Sequence, residues 1–239
     1  MFRTSRLLVM SVVACLIIGT PAFTAAQTAK DTKDEVEVVQ KSIDVLRELT
    51  KVPEEGIPQA LLERAEAIVV IPSLVKGGFI IGAKHGKGVM SVRDRSTNSW
   101  SPPAFLKMTG GSIGWQIGVE SVDLVLLVMN RKGVNELLED KFTIGGDLSI
   151  AAGPVGRNAQ AGTNAQFNTG ILAYSRSKGL FAGATLEGAG IRADRDDNEA
   201  FYGRELGLRE IVLERAPNTR PPSITDTWRE TLRSLTAKK

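Results

Sequence analysis

The sequence predicts an α+β fold: a curved, glycine-rich antiparallel β-sheet or barrel-like core with flanking short helices. Three observations predict it. Glycine accounts for 24 of the 239 residues and crowds the middle of the chain, where Gly77-Gly78, Gly110-Gly111 and Gly145-Gly146 recur. Short β-branched and apolar runs lie between those glycines and read as strands. Helical periodicity of apolar residues occurs at both ends and in short stretches between strands.

The elements follow in order. Met1 to Ala26 has a basic start at Arg3 and Arg6, an uncharged apolar run from Leu7 to Gly19, and small residues after Pro21. That order reads as a secretory signal peptide with cleavage after Ala26. The apolar run is shorter than the roughly 20 residues a membrane span requires. Val12-Val13-Ala14-Cys15 offers the alternative of a lipidated or membrane-anchored Cys15, but Leu16-Ile17-Ile18 continues the apolar stretch where a polar linker would be expected. Residues 27 to 34 are polar and read as frayed. From Glu35 to Thr50, Val36, Val39, Ile43, Leu46 and Leu49 mark one face of a helix that Pro53 and Gly56 end. A short helix over Pro58 to Ala65 leads into a buried strand, Ala67 to Ile71, that Pro72 should stop.

A hairpin is predicted next, with strands at 77–82 and 89–92 and a turn at His85-Gly86-Lys87-Gly88. Trp100 to Phe105 reads as a proline-rich connection and Leu124 to Met129 as an apolar strand. Gly133 to Asp140 and Asp194 to Tyr202 read as helices. Pro217 to Pro222 is a linker before a final amphipathic helix carrying Ile224, Trp228, Leu232 and Leu235. Glycines inside strands mark bends, bulges and close backbone approach, so the glycine pairs read as corners of the curved sheet. The resulting division is a signal peptide at 1–26, an N-terminal helix region at 27–56, the main domain at 57–215, and the linker with the C-terminal helix at 216–239.

Composition excludes several functions. Loss of positions 1–26 still leaves a chain long enough for a substantial core. It also removes Cys15, the sole cysteine, so disulfides are excluded and the core rests on packing. Without Arg3 and Arg6, Lys+Arg falls from 30 to 28 against 27 acids, a net charge near +1. No nucleic-acid partner is expected from so balanced a charge. With His85 as the one histidine, a structural zinc site of about four Cys or His ligands cannot be built. Asp194, Asp196, Asp197 and Glu199 lack the glycine and distal glutamate of an EF-hand loop and read as a solvated helix start. No metal and no cofactor is therefore expected.

Catalytic motifs are equally weak. Gly110-Gly111-Ser112-Ile113-Gly114 matches G-x-S-x-G, but a strand follows where a helix is needed, and His85 lies upstream. Gly188 to Ala193 matches G-x-G-x-x-A without the branched apolar strand of a dinucleotide site. An enzyme is not expected.

A set of segments carries a resemblance. They are Gly77-Gly78-Phe79, Gly86-Lys87-Gly88-Val89, Trp100-Ser101-Pro102-Pro103, Gly114 to Gly118 with Glu120 and Asp123, and Gly153-Pro154-Val155-Gly156-Arg157. Tyr174 to Phe181, Leu186-Glu187-Gly188, and Asn198 to Gly203 ending in Phe201-Tyr202-Gly203 complete the set. In this order, over roughly Leu61 to Gly203, the sequence resembles the SYLF domain, found with SH3 or FYVE modules in eukaryotes and by itself in bacteria. The resemblance implies binding of phosphoinositide or another anionic phospholipid, actin binding in some fungal members, and no catalysis. It also implies an N-terminal amphipathic helix against membranes, although Asp34, Glu35, Glu37, Asp44 and Glu48 make that helix unlike a basic membrane-surface helix.

The basic positions resembling the family's surface are Lys76, Lys84, Lys87, Arg93 and Lys107, which become the candidate lipid-binding residues. Each cation near an anionic surface contributes about 1 kcal/mol. Arg157 is read as a structural partner of Asp123 or Glu187, with a contact to lipid phosphate as the alternative, and Trp100 and Trp115 as core residues, with interfacial anchoring as the alternative. The expected function is an exported, periplasmic or secreted protein that binds an anionic phospholipid membrane surface. The alternative is an envelope scaffold or stress-related interaction module whose protein partner docks on the C-terminal helix. Export argues against actin as a partner.

Overall fold

The computed structural model describes residues 24–51, 56–139, 142–144, 150–155, 170–177, 180–183, 186, 188–216 and 218–237; side chains are described outside 24–31, 49–51, 76–82, 112–120, 180–181 and 183. The elements run α1 (Thr24–Lys51), α2 (Gln59–Arg64), β1 (Ala67–Asp94), β2 (Ser99–Trp100), β3 (Ala104–Val128), α3 (Arg131–Leu137), β4 (Phe142–Thr143), β5 (Ile150–Ala152), β6 (Ile171–Ser177), β7 (Leu180–Gly183), β8 (Ala189–Ala193), α4 (Arg195–Tyr202), α5 (Leu208–Val212) and α6 (Ile224–Leu235). The strands form one curled sheet with the path β2-β1-β3-β6-β5. The α+β prediction therefore holds.

One ribbon organises the fold. β1 and β3 pair antiparallel from Ala67↔Val128 to Met90↔Ala104. β1 alone is 28 residues long. Drawn out straight it would span roughly 90 Å, too long for a chain of this size. The ribbon bends back on itself instead. A Cβ on Gly88 would lie 2.2 Å from the Val70 carbonyl oxygen, and one on Gly86 would lie 2.8 Å from Ile71 Cγ2. The two ends of β1 are thus packed face to face, and glycine is what lets the backbones approach. This corrects the expected hairpin: residues 85–88 are strand, not turn, and both halves of β1 pair with β3.

Pro72 also acts differently from expectation. It does not stop the strand but lies in a register shift between Ile71 and Leu74, where Ser73 takes a left-handed φ of 54°. An extra residue in one strand bends the ribbon locally. The bulge is pinned because the Ser73 N–H donates to Asp123 Oδ1 at 3.0 Å, while Arg176 Nη2 holds Asp123 Oδ2 at 2.6 Å. Arg176 is thus a partner of Asp123, while Arg157, for which Asp123 or Glu187 is the expected partner, lies outside the described residues.

The helices seal the open sides. α1 is continuous across residues 27–34, expected to fray, and packs on β1, α4 and α6. Val39, Ile43 and Leu46 are fully buried, so its apolar stripe faces the core. α6 buries Trp228, Leu232 and Leu235 in the same core. Trp228 Nε1 donates to Ser91 Oγ at 2.7 Å, and Trp100 Nε1 donates to Thr236 Oγ1 at 3.1 Å. Trp100 is a core residue, as expected. At the opposite edge Asn198 Nδ2 donates to the Phe105 carbonyl and Asn198 Oδ1 accepts from the Phe105 N–H, which fixes α4 to β3. α5 was not foreseen in the sequence.

Candidate functional site

The ribbon register decides where the candidate cations go. Lys87 on β1 sits opposite Lys107 on β3, so both ammonium groups reach the start of α4. Lys87 Nζ donates to both Asp197 carboxylate oxygens at 2.8 Å and lies 3.8 Å from Asp194 Oδ2. Lys107 Nζ donates to Asp194 Oδ1 at 2.9 Å. Asp194 is 1% exposed and Asp197 is also buried. The reading of this segment as a solvated helix start is therefore corrected: Asp196 and Glu199 face solvent, but Asp194 and Asp197 are interior counter-ions for two lysines. The sequence hid this because the two partners lie on strands far back along the chain.

Glu35 on α1 enters the same cluster. It is 5% exposed, and its Oε2 has no hydrogen-bond partner. Burial raises its pKa above the ordinary value, the charge of Asp197 adds to that, and Lys87 opposes it. Burial likewise raises Asp197, against the pull of its hydrogen bond from Lys87. Burial disfavours the charge on Lys87, but the Asp197 hydrogen bond and charge outweigh it and hold the ammonium above its usual range.

A raised folded-state pKa means that Glu35 helps folding most when protonated. That contribution is fully present below the unfolded value near 4.5 and is lost as pH rises through the folded value. Glu35→Gln is therefore expected to raise the melting temperature at pH 7. The gain should shrink to nothing below about pH 4. Thermal unfolding of both proteins from acid to neutral pH checks this; a gain that is constant with pH would contradict it.

The remaining candidates separate. Arg93 is only 6% exposed. Its Nη1 donates to the Glu63 carbonyl at 2.6 Å, its Nε and Nη2 donate to Asn98 Oδ1, and its guanidinium lies 5.9 Å from the Trp100 ring centroid. Lys84 is half-buried and engaged in an interaction of its own, with Gly110 as its strand partner. Lys76 pairs in register with Glu120, and its side chain lies outside the described residues, as does that of Trp115. Lys87 and Lys107 are thus brought together, and Arg93 belongs to a different group.

That group is one of arginines that sequence spacing could not reveal. Arg215 Nη1 and Arg229 Nε both donate to the Trp100 carbonyl at 3.0 Å. Arg215 Nη2 lies 3.6 Å from Asp94 Oδ2, and Arg95 Nε donates to Glu66 Oε1 at 2.9 Å. Arg131 lines a cleft with Arg93 and Arg215. These five guanidinium groups gather at the β1–β2 end of the sheet. Asp94, its carboxylate held down to a pKa of about 2 by hydrogen bonds from Ser96 and Thr97, stays ionised beside them.

The motifs set aside in the sequence lie in strands. Ser112 lies within β3 and pairs with Gly82 of β1, without the turn and helix a nucleophile elbow requires. Residues 189–193 form β8, not the start of a helix. Among the described residues no group of three or more His, Cys, Asp or Glu side chains could hold a metal ion.

Residues 109–235 match the family model Ysc84, described as "Las17-binding protein actin regulator". The chain is 35% identical over 176 residues to LAS seventeen-binding protein 3 of Saccharomyces cerevisiae, covering 72% of this chain and 37% of that one. It is 36% identical over 181 residues to Protein YSC84 of the same organism, covering 72% and 38%. Against SH3 domain-containing YSC84-like protein 1 of Homo sapiens it is 30% identical over 205 residues, covering 83% and 58%. The chain thus spans less than two thirds of each of these relatives. With the family model matching more than half of it, this chain belongs to the SYLF, or Ysc84, family.

Proposed function

We propose that this protein is an exported, non-catalytic module that binds the surface of anionic phospholipid membranes. The observation that carries the reading is the gathering of Arg93, Arg95, Arg131, Arg215 and Arg229 at one end of the sheet. Guanidinium groups are the side chains best suited to phosphate oxygens, which they meet in a planar fork. Family membership supports a binding role rather than a reaction. The original lysine candidates contribute less, because Lys87 and Lys107 are occupied by internal carboxylates.

Sedimentation of the full chain with phosphatidylglycerol or cardiolipin vesicles tests the reading, with phosphatidylcholine vesicles as background. Binding above background at low salt, falling as salt is raised to about 0.5 M, is the expected result. Equal sedimentation with both vesicle types would remove the proposal.

A second reading is favoured by the family description itself, which names Las17 binding and actin regulation. It stands against the sequence-based exclusion of actin and makes a protein partner the alternative occupant. The apolar face of α6 is not its docking surface, since Trp228, Leu232 and Leu235 are buried in the protein's own core.

A further inference from the structure

We infer that the cleft lined by Arg93, Asp94, Arg131, Leu213 and Arg215 is a phosphate-binding site for a phospholipid headgroup, with Leu213 entering the lipid beside it. The inference rests on the membrane reading and assigns it a location.

Charge singles this cleft out. Three arginines face it against the one carboxylate of Asp94. A second cleft, between α3 and α5, sets Arg195 against Glu139, Glu205 and Glu210. A third, between α1 and α6, sets Arg47 against Asp226 and Glu230. Of these three the first has a net positive lining, and the other two would repel an anion. Its volume of about 330 Å³ has room for a phosphate ester rather than a bare ion only.

The three arginines divide the work. Arg93 is fixed from behind by Asn98 and the Glu63 carbonyl, so it supplies a positioned charge. Arg215 is oriented by the Trp100 carbonyl. Arg131 is exposed and makes no hydrogen bond or ion pair with any described residue, so its guanidinium is available to a ligand. Preorganised guanidinium groups lose less freedom when they close on phosphate oxygens.

Two further observations coincide here. Leu213 is 39% exposed, and it and Val75 are the exposed large hydrophobics of the described residues. An exposed leucine at the rim of a cationic cleft suits an interface where phosphate lies beside acyl chains. Arg215 and Ala216 both hold left-handed backbone, at φ 64° and 50°. Such conformations are disfavoured outside glycine and recur at ligand sites.

Full-chain variants in vesicle and pyrophosphate titrations test the site. Arg131→Glu is expected to weaken binding to phosphatidic acid vesicles about ten-fold. Lys132→Glu, the same charge change one residue along and outside the cleft, should weaken it less, because it removes only the general attraction to the surface. Leu213→Ser should weaken vesicle binding and leave pyrophosphate binding unchanged. Equal losses in Arg131→Glu and Lys132→Glu would overturn the site while leaving the membrane reading intact. An unaltered vesicle affinity in Leu213→Ser would overturn the lipid source of the phosphate. If the native chain binds no anionic vesicle, the membrane reading fails. Pyrophosphate binding that is lost in Arg131→Glu would then still support the phosphate site, and its absence would overturn that too.

Discussion

Replacing Gly88 by alanine is expected to destabilise the protein by about 3 kcal/mol, enough to deplete folded material on expression. The added Cβ would sit 2.2 Å from the Val70 carbonyl oxygen and 2.8 Å from Ile71 Cα. Both neighbours include backbone, and both belong to a stretch of β1 that is fully buried and hydrogen-bonded to β3. No side-chain rotation relieves the contact, so the two ends of β1 must move apart and open the core between them. Gly190→Ala is the matched control. Its Cβ would meet the Phe142 and Thr109 carbonyl oxygens at 3.7 Å, an ordinary van der Waals contact. It should change stability by less than about 1 kcal/mol. Urea unfolding of the two variants beside the native chain measures the difference. Similar midpoints for both would show that the ribbon is not closed on itself at this position.

Trp228→Ala is expected to cost about 3–5 kcal/mol. The indole is fully buried, and it is one of the largest side chains in the core. Its removal leaves a cavity under α6 and deletes the 2.7 Å hydrogen bond to Ser91 Oγ. Trp228→Phe keeps most of the volume and loses that bond, so a smaller loss of about 1–2 kcal/mol is expected. Chemical unfolding of both variants separates the two contributions. An alanine variant no weaker than the phenylalanine variant would mean that α6 is a dispensable appendage.

The helices were the legible part of the fold. Ile224, Trp228, Leu232 and Leu235 repeat at helical spacing, and the helix runs from Ile224 to Leu235 as that spacing predicts. The apolar runs at 67–71 and 124–129 were also legible, because strands buried on both faces carry no polar alternation. The bend of the ribbon was not. A sequence shows glycine at 86 and 88 but not whether a turn or a close approach requires it. Here the approach is to Val70, Ile71 and Leu74, earlier in the same strand, and no local pattern encodes that contact. Pro72 misled for a related reason: it was tolerated at a bulge, where its missing N–H removes nothing.

The candidate site was less legible still. The candidate lysines follow from the family resemblance, which does not show which carboxylates the fold brings to them, and the fold turns Lys87 and Lys107 toward Asp197 and Asp194. The arginine cleft draws on positions 93, 131 and 215, which have no periodic relation to one another. Charge composition could not have found it, because the small net charge of +3 averages a cationic end against acidic clefts elsewhere.

The β1–β3 ribbon also sets the order in which the chain can assemble. Met90 and Ala104 flank a short connection and meet after closing a small loop, whereas Ala67 must find Val128 across the whole length of both strands. Loop closure becomes harder with separation, so pairing is expected to proceed as a zipper from the Trp100 end toward the Pro72 bulge. α1 and α6 gain their full binding surface only when that zipper has run its course. On that order the two terminal helices are expected to lock last, and native stability resides in a closure that no single segment can achieve by itself.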